Sequence, residues 1–175
     1  ILATGALERP LVFNNNDRPG IMLSSAVKKY SDFYGVACGK KNIFFTNNDT
    51  AYESALSLHN KGIKVDAIID IRENSEAKII KKINEAGIKI YWFHTIVDTS
   101  GYKRLSDVTI MKLSNDGMSV TGSKTSISCD GLGIAGVGTP AVQLHTQAGN
   151  KPTCNEERNI FAPKADNAEQ LCAGS

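Results

Sequence analysis

A regular alternation of apolar segments and helical patterns between residues 42 and 93 constrains the fold of this chain most strongly. Three short runs are apolar along their length, and turn-forming residues separate them from two segments with helical spacing. The predicted strands are 42–46, 65–71 and 88–93, and the predicted helices run from 49 or 50 to about 60 and over 75–86. Apolar strands that alternate with helices are typical of parallel sheets. The sequence therefore predicts an α/β fold with a Rossmann-like three-layer parallel sheet.

Weaker patterns flank this core. The additional predicted elements are a strand at 1–3, a helix at 21–34, a β-hairpin around Asn115-Asp116-Gly117, a strand at 126–134 and a short helix at 140–148. The helix is expected to end at Gly35, because glycine readily adopts the left-handed conformation of a C-cap. The hairpin rests on alternating apolar residues before a turn-forming dipeptide. We therefore expect the core to carry a β-hairpin excursion.

Composition excludes several functional classes. A chain of 175 residues with 41% hydrophobic and 22% charged residues is typical of a globular protein of one domain or slightly more. The net charge of +2 gives no reason to expect a nucleic-acid or membrane partner, and no apolar run has the length of a membrane span. The four cysteines and three histidines are dispersed, without CxxC or metal-ligand spacing. We expect a reduced, cytoplasmic protein without a metal site.

The first candidate site is the turn after the predicted strand at 42–46. In a Rossmann unit this turn holds glycines, which let a pyrophosphate approach the N-terminus of the next helix. Here Asn47, Asn48 and Asp49 replace them. Asparagine tolerates the left-handed conformation such a turn uses, but its side chain fills the space of a pyrophosphate, and Asp49 adds a negative charge. We interpret the turn as a degenerate nucleotide site kept as scaffold.

Asp70 is a candidate ribose ligand. It lies at the end of the second predicted strand, where an acidic residue binds the ribose hydroxyls of NAD, at about the expected separation from the Asn47 turn. Arg72 could instead accept a 2′-phosphate. The alternative is that both are ordinary charges at a strand end, and the missing glycines favour it.

Residues 131–136 match the pattern GxGxxG. In a dinucleotide-binding protein this pattern opens a strand–helix–strand unit. No such unit continues here, since the residues after Ala148 are polar and irregular. We interpret the segment as a strand that ends in a Gly-x-x-Pro turn.

The first residues form another candidate site. Ala3-Thr4-Gly5 would bring a glycine turn close to the ribose or pyrophosphate of a nucleotide, and Arg9 could contact a phosphate or a partner. The chain has no initiator Met, and this motif is typical of the middle of a two-domain protein. We therefore expect an internal segment whose principal glycine loop lies upstream.

The order of these motifs resembles the glutathione-reductase-like flavoproteins, which have two dinucleotide-binding domains. Residues 1–6 resemble the crossover strand of that family, and residues 43–90 resemble its inserted nicotinamide-binding domain. Residues 115–140 resemble the stretch where the chain leaves the insert. Cys172-Ala173-Gly174 resembles the start of the last cofactor-contacting segment.

Three segments narrow the resemblance to the α subunits of heterotetrameric sarcosine oxidases: 3–13, 16–23 and 45–52. The most specific part is the glycine-poor turn Thr46-Asn47-Asn48-Asp49. Related amine and opine dehydrogenase α subunits, and cyanide-forming glycine dehydrogenases, share the Ala-Thr-Gly and Arg-Pro-Gly segments. Asn14-Asn15 departs from the Pro-Gly-like pair that is usual in the family.

The resemblance implies a complex that demethylates sarcosine oxidatively to glycine. Flavin chemistry, with FAD and FMN, would belong to the β subunit and its interface, NAD to the α subunit, and smaller subunits would complete the assembly. It also implies three segments: 1–37 from a split first dinucleotide-binding domain, 38–125 as the inserted domain, and 126–175 as the return. This chain would give only a partial NAD site, with edge contacts from Thr4, Gly5 and Gly174, and no catalytic residue.

Three functions stay open at this point. The chain is a segment of an oxidoreductase α subunit, or a non-catalytic assembly module with a degenerate nucleotide site, or an autonomous NAD-dependent dehydrogenase that uses residues 131–136. The Asn47 turn favours the second function for residues 38–125. The Ala3-Thr4-Gly5 turn and Gly174 favour the first.

Overall fold

The computed structural model of the protein describes residues 1–157, 159–164 and 171–173. The chain divides into two compact units, one formed by Pro10–Gly136 and the other by Ile1–Arg9 with Val137–Ser175. In chain order the described elements are β1 (Ala6–Glu8), β2 (Ile21–Leu23), α1 (Ser24–Tyr34), β3 (Asn42–Thr46), α2 (Thr50–Asn60), β4 (Val65–Asp70), α3 (Ile79–Glu85), β5 (Lys89–Trp92), β6 (His94–Ser100), β7 (Asp107–Leu113), β8 (Val120–Ser128), β9 (Gly131–Ala135), β10 (Gly138–Pro140), α4 (Gln143–Gln147), β11 (Thr153–Asn155) and β12 (Ile160–Ala162).

A five-stranded parallel sheet forms the centre of the larger unit, in the order β2-β9-β3-β4-β5. Every residue of β3 is buried, and β3 lies between β9 and β4. Strands buried on both faces are apolar along their whole length, which is the pattern that the sequence shows. The predicted strand at 42–46 is confirmed.

The two faces of this sheet are covered by different kinds of structure. On one face, α1, α2 and α3 pack over Phe44 and Ile68. On the other face, the antiparallel sheet β6-β7-β8 packs over Ile43, Phe45 and Ile69. The predicted α/β fold with a three-layer core and a β-hairpin is confirmed, and its third layer is a sheet.

Several element boundaries differ from the prediction. Residues 21–23 belong to β2, so the helix begins only at Ser24, although it does end at Gly35 with φ of 63°. The prediction of a single strand at 126–134 is wrong. It divides into β8 and β9 because the N–H groups of Asp130 and Gly131 both donate to the carbonyl of Lys41, which turns the chain from one sheet into the other.

Two other predictions are corrected by the structure, and one strand was not predicted. Residues 1–3 form no strand, and only Leu2 makes an isolated bridge, to Cys172. The short helix covers only Gln143–Gln147, since Pro140 lies in β10, where it pairs with Ala6. Strand β6 was not predicted at all.

The loop with the unusual pair Asn14-Asn15 is well fixed. Asn15 adopts a left-handed conformation with φ of 57°, which asparagine tolerates better than most residues. The side-chain amides of Asn14 and Asn15 both donate to Oδ1 of Asp98, at 3.0 and 2.9 Å. The Asn15 amide, followed by the backbone N–H of Thr99, lowers the pKa of Asp98. Asparagine therefore meets the conformational demand of this loop in place of a Pro-Gly pair.

The smaller unit is built from two short antiparallel pairs. Strand β1 pairs with β10, and β11 pairs with β12. Helix α4 follows β10, and its His145 is buried.

Candidate functional site

The carboxyl ends of β3 and β4 lie side by side in the sheet. Thr46 pairs with Asp70 at the last position of the two strands. Ligands of open parallel sheets bind at this edge, outside the carboxyl ends of the strands. The candidates Asn47, Asn48, Asp49 and Asp70 therefore lie at the edge that a nucleotide would use.

Side-chain hydrogen bonds close the turn after β3. The Asn48 amide donates to the carbonyl of Gly136 at 2.7 Å, and its Oδ1 accepts from the backbone N–H of Thr50 at 3.0 Å. The Thr46 hydroxyl donates to the Asn48 carbonyl at 2.8 Å. In the described part of the chain, positive φ outside glycine occurs only at Asn15, Phe93 and Asn159. The turn is thus held by side chains, and the left-handed asparagine expected from the sequence is not used.

This arrangement also occupies the N-terminus of α2. Asp49 stands at the N-cap position, but its side chain makes no capping hydrogen bond. The Asn48 Oδ1 takes the N–H of Thr50 instead. In a Rossmann unit a pyrophosphate would bind these N–H groups, and here a side chain of the same protein has taken one of them.

Asp70 is fully buried, with no exposed surface. Its Oδ2 accepts from the hydroxyl of Tyr52 at 2.7 Å and from Nη2 of Arg72 at 2.7 Å. Its Oδ1 accepts from the backbone N–H and Nε of Arg72 at 2.9 and 3.1 Å. Both oxygens are therefore engaged by the protein, as a buried carboxylate requires.

Arg72 links the two strand ends. Its Nη2 donates to Oδ1 of Asp49 at 2.8 Å, and the Ser75 hydroxyl donates to the same oxygen at 3.2 Å. The hydrogen bond that Arg72 donates to Asp70 is the main reason why the pKa of Arg72 is raised. Burial, followed by the hydrogen bond to Asp70, raises the pKa of Tyr52, so that its hydroxyl stays a donor. We call Asp49, Tyr52, Asp70 and Arg72 the closing network.

The closing network does not fit a bound dinucleotide. A ribose would need acceptor capacity on Asp70, which is buried and already accepts five hydrogen bonds. A pyrophosphate would need the space of the Asn48 side chain and would meet the exposed carboxylate of Asp49. A nucleotide could therefore bind at this edge only if these groups were displaced.

The GxGxxG segment is a strand and forms no phosphate loop. Residues 131–135 are buried and pair with β2 and β3 in the centre of the sheet. A Cβ at Gly133 would lie only 2.5 Å from Cε1 of Phe44, so the glycine makes room for that ring. The interpretation as a strand is confirmed, and the backbone N–H groups of these residues are used by the sheet.

The candidates Ala3, Thr4, Gly5 and Arg9 lie in the smaller unit. The Thr4 hydroxyl donates to the carbonyl of Ala141 at 2.7 Å, and the carbonyl of Gly5 accepts from the N–H of Ala141 at 2.9 Å. Gly5 has φ of 69°, and nothing lies within 4 Å of the position of a Cβ there. This turn is open, in contrast to the turn after β3, and its backbone can be approached closely.

Arg9 makes a side-chain contact within the smaller unit, since its Nη1 donates to the carbonyl of Asn159 at 3.3 Å. Gly174 lies outside the described residues. The role of Tyr52 was missed by sequence reasoning, since nothing in the sequence links it to Asp70 across 18 positions.

The described residues contain no group of three or more His, Cys, Asp or Glu side chains that could hold a metal ion. None of the helices found in them combines the length and the apolar character of a membrane-crossing helix.

Solved structures with similar folds are oxidoreductases. The thioredoxin reductase of T. acidophilum gives a TM-score of 0.68 at 16% identity, and the match covers 96% of this chain and 58% of that chain. The L-proline dehydrogenase of P. horikoshii gives a TM-score of 0.59 at 19% identity, with 99% of this chain and 28% of that chain covered. At these identities the likeness shows the fold.

Sequence relatives are more specific, although no protein-family model matches the chain. Sarcosine oxidase subunit alpha of Corynebacterium sp. strain P-1 is 38% identical over 177 residues, and that of Rhizobium meliloti strain 1021 is 34% identical over 182 residues. Both alignments cover all of this chain but only 18% and 16% of the relatives. The resemblance predicted from the motifs is confirmed: along its whole length this chain matches an internal segment of sarcosine oxidase α subunits.

Proposed function

We propose that this chain is a structural segment of the α subunit of a sarcosine oxidase complex. The complete complex would demethylate sarcosine oxidatively to glycine, with the flavin chemistry in the β subunit and its interface. The support is the identity of 34–38% along the whole chain to α subunits of that name. The segment supplies no catalytic residue and serves as scaffold within a cytoplasmic heterotetramer. The four free cysteines agree with a reducing compartment.

The role of the segment follows from the closing network. Because Asp70 is buried and Arg72 joins it to Asp49, the inserted domain, residues 38–125, would hold no nucleotide of its own. NAD would bind instead in the split first domain, to which the smaller unit, residues 1–9 and 137–175, would belong. Ala3, Thr4, Gly5, Arg9 and Gly174 would contribute edge contacts there. The residues of this chain would only position the NAD.

Titration calorimetry of NAD with the complete α subunit tests this division. We expect Gly5→Ala to weaken NAD binding about tenfold or more, since a Cβ would fill the open space above the turn. Gly62→Ala is the matched control, because Gly62 also has positive φ, 75°, and open space at its Cβ position. It imposes the same backbone strain away from the turn and should leave the affinity unchanged.

A second substitution in the same calorimetry experiment tests the inserted domain. Asp70→Asn should leave the affinity for NAD within about twofold, a change below the energy of one hydrogen bond. The sarcosine consumption of the assembled complex should also stay the same. A loss of NAD binding in Asp70→Asn, with Gly5→Ala unaffected, would place the nucleotide in the inserted domain and overturn the proposal.

A further inference from the structure

Helix α1 presents its large side chains outward. The residues that it buries are Ser24, Val27 and Ser31, and the hydroxyls of the two serines have no hydrogen-bond partner among the described residues. In contrast, the aromatic side chains of Tyr30, Phe33 and Tyr34 are 45%, 79% and 66% exposed. A surface helix normally has the reverse polarity. The outward face of α1 therefore has the composition of a face that is covered in the complete protein.

These aromatic side chains continue into a cavity of the larger unit. The cavity has a volume of about 510 Å³ and is lined by Pro19, Gly20, Met22, Tyr30, Val36, Cys38 and Arg104. Tyr30 belongs to both features, and its ring lies 5.7 Å from that of Tyr34. We call Tyr30, Phe33, Tyr34 and the cavity together the α1 surface. Aromatic residues, Met and Arg are the residue types that are enriched at protein interfaces.

The rim of the cavity is basic. Arg104 donates from Nη2 to the carbonyl of Asp130 at 2.8 Å, and the same nitrogen lies 3.9 Å from Oδ2 of Asp130, which is a long ion pair. Its Nε and Nη1 have no hydrogen-bond partner in the part of the chain that the structure describes, and the side chain is 55% exposed. Lys103, beside Arg104, and Lys40, two positions after Cys38, are exposed. A further carboxylate could accept hydrogen bonds from Nε and Nη1 of Arg104, since a guanidinium binds carboxylates with two parallel hydrogen bonds.

We propose that the α1 surface binds an acidic, apolar segment of the same α subunit that lies outside these 175 residues. The segment places an apolar side chain in the cavity, packs along Tyr30, Phe33 and Tyr34, and pairs a carboxylate with Arg104. This proposal does not depend on where NAD binds.

Size favours an occupant from the same polypeptide. The α1 surface consists of the seven residues that line the cavity and two more on the helix, whereas a stable interface between separate proteins uses roughly 20–30 residues a side. A tethered segment avoids most of the entropy cost of association, so a small surface suffices. The relatives offer such segments, because this chain spans only 16–18% of their length.

The thiol of Cys38 reports whether the cavity is covered. Cys38 is half-buried at the cavity wall, and burial raises its pKa. In the complete subunit, assembled in its complex, maleimide labelling of Cys38 is followed by peptide mass spectrometry. Phe33→Ser and Arg104→Glu should each raise the labelling rate about tenfold, because each removes a central contact of the docked segment. Arg104→Lys, which keeps the cation, should have a smaller effect.

Two other cysteines and a matched variant serve as controls. Cys129 is buried in the core, where burial raises its pKa to about 12, so it must stay unlabelled unless a variant unfolds. Tyr102→Ser removes an aromatic residue that is 94% exposed and lies outside the α1 surface, and it should change nothing. Cys154 is exposed and should be labelled equally in all variants. If neither Phe33→Ser nor Arg104→Glu changes the Cys38 rate, the proposal is wrong.

Photo-cross-linking identifies the occupant. With p-benzoylphenylalanine placed at position 33 of the complete subunit, we expect a cross-link to a peptide of the same subunit that is rich in Asp or Glu. A cross-link to a different subunit, or to no protein at all, would overturn the proposal. The same probe at position 102 gives the background.

Discussion

Strands β3 and β9 are neighbours in the parallel sheet and pair residue by residue, yet they end in different ways. Strand β3 runs into a turn without glycine, whose polar side chains bond one another and the carbonyl of Gly136. Strand β9 carries the glycines, and one of them faces the ring of Phe44 on β3. The glycines thus make room for a side chain of the protein, and the turn that would admit a ligand is filled by side chains.

The difference shows how a nucleotide edge can be closed without a change of fold. The strand order and register stay those of an α/β sheet, and only the groups at the strand ends differ. The closure buries the carboxylate of Asp70, which is costly unless every partner is in place. Substitutions around Asp70 should therefore lower the free energy of unfolding most, and substitutions in β9 and at the exposed Asp49 should lower it less.

Arg72→Met should have the largest effect. It leaves the buried carboxylate of Asp70 with only the Tyr52 hydroxyl and one backbone N–H. We expect the free energy of unfolding of the larger unit to fall by about 3–5 kcal/mol, the range for breaking one side of a buried ion pair. Hydrogen exchange of peptides from residues 42–70, measured by mass spectrometry in the complete subunit, reports the change.

Lys64→Met is the control for this change. Its ion pair with Asp66 involves a lysine that is 61% exposed, so the loss should be about 0–1 kcal/mol. Equal effects of the two substitutions would mean that water reaches Asp70 and that the closing network is not a buried one.

Tyr52→Phe should cause the second largest loss in the free energy of unfolding. The ring, which lies 6.3 Å from that of Trp92, can stay in place, and only the hydrogen bond to Asp70 is lost. A hydrogen bond to a charged group contributes about 1.5–3 kcal/mol, and the same exchange measurement should show a loss of that size. Tyr91→Phe, at a half-buried tyrosine of the adjacent strand β5, should change stability little. A comparable loss in both variants would argue against a special role for the Tyr52 hydroxyl.

Gly133→Ala tests the other strand of the comparison. The new methyl group would overlap the ring of Phe44, and overpacking of this kind costs about 1–3 kcal/mol. Gly138→Ala, where the nearest atom is the Cβ of Ala6 at 3.1 Å, should cost less. If the cause is the Phe44 ring, then Gly133→Ala combined with Phe44→Leu should lose less than the sum of the two single losses. Additive losses would point to another cause.

The core strands could be predicted because burial on both faces leaves a strong signal. Residues 42–46 have the apolar centre Ile43-Phe44-Phe45 and form β3 with the expected bounds. Ile21-Met22-Leu23 forms a short apolar run that fits a strand or the first turn of a helix equally well, so the sequence predicts helix where the structure has β2. Strand β6 has mixed composition, and the register shift between Ile96 and Asp98 in its pairing with β7 interrupts the alternation by which a half-buried strand is recognised.

The candidate site was predictable in position but not in its bonding. Asp70 lies at the end of β4 beside the Asn47 turn because parallel strands end at one edge. The side chain of Arg72 donates to both Asp49 and Asp70. Its orientation depends on the burial of Asp70 and on the position of Asp49 in three dimensions. No local pattern encodes such a choice, and neither does any pattern connect Tyr52 with Asp70.

Asp49→Asn should change the free energy of unfolding least. It tests whether the exposed pair of Asp49 and Arg72, or the buried contacts of Asp70, keep the edge of the sheet closed. Its ion pair with Arg72 is partly exposed, with Asp49 at 48% and Arg72 at 29%, and such pairs contribute about 0–1 kcal/mol. Arg72 would remain fixed by Asp70, so hydrogen exchange of α2 and β4 should stay close to that of the unchanged subunit. Ser75→Ala, which removes the other hydrogen bond to Asp49, should behave alike. A loss as large as that of Tyr52→Phe would instead mean that the exposed rim holds the edge closed, because the buried carboxylate would then depend on a partner that water can replace.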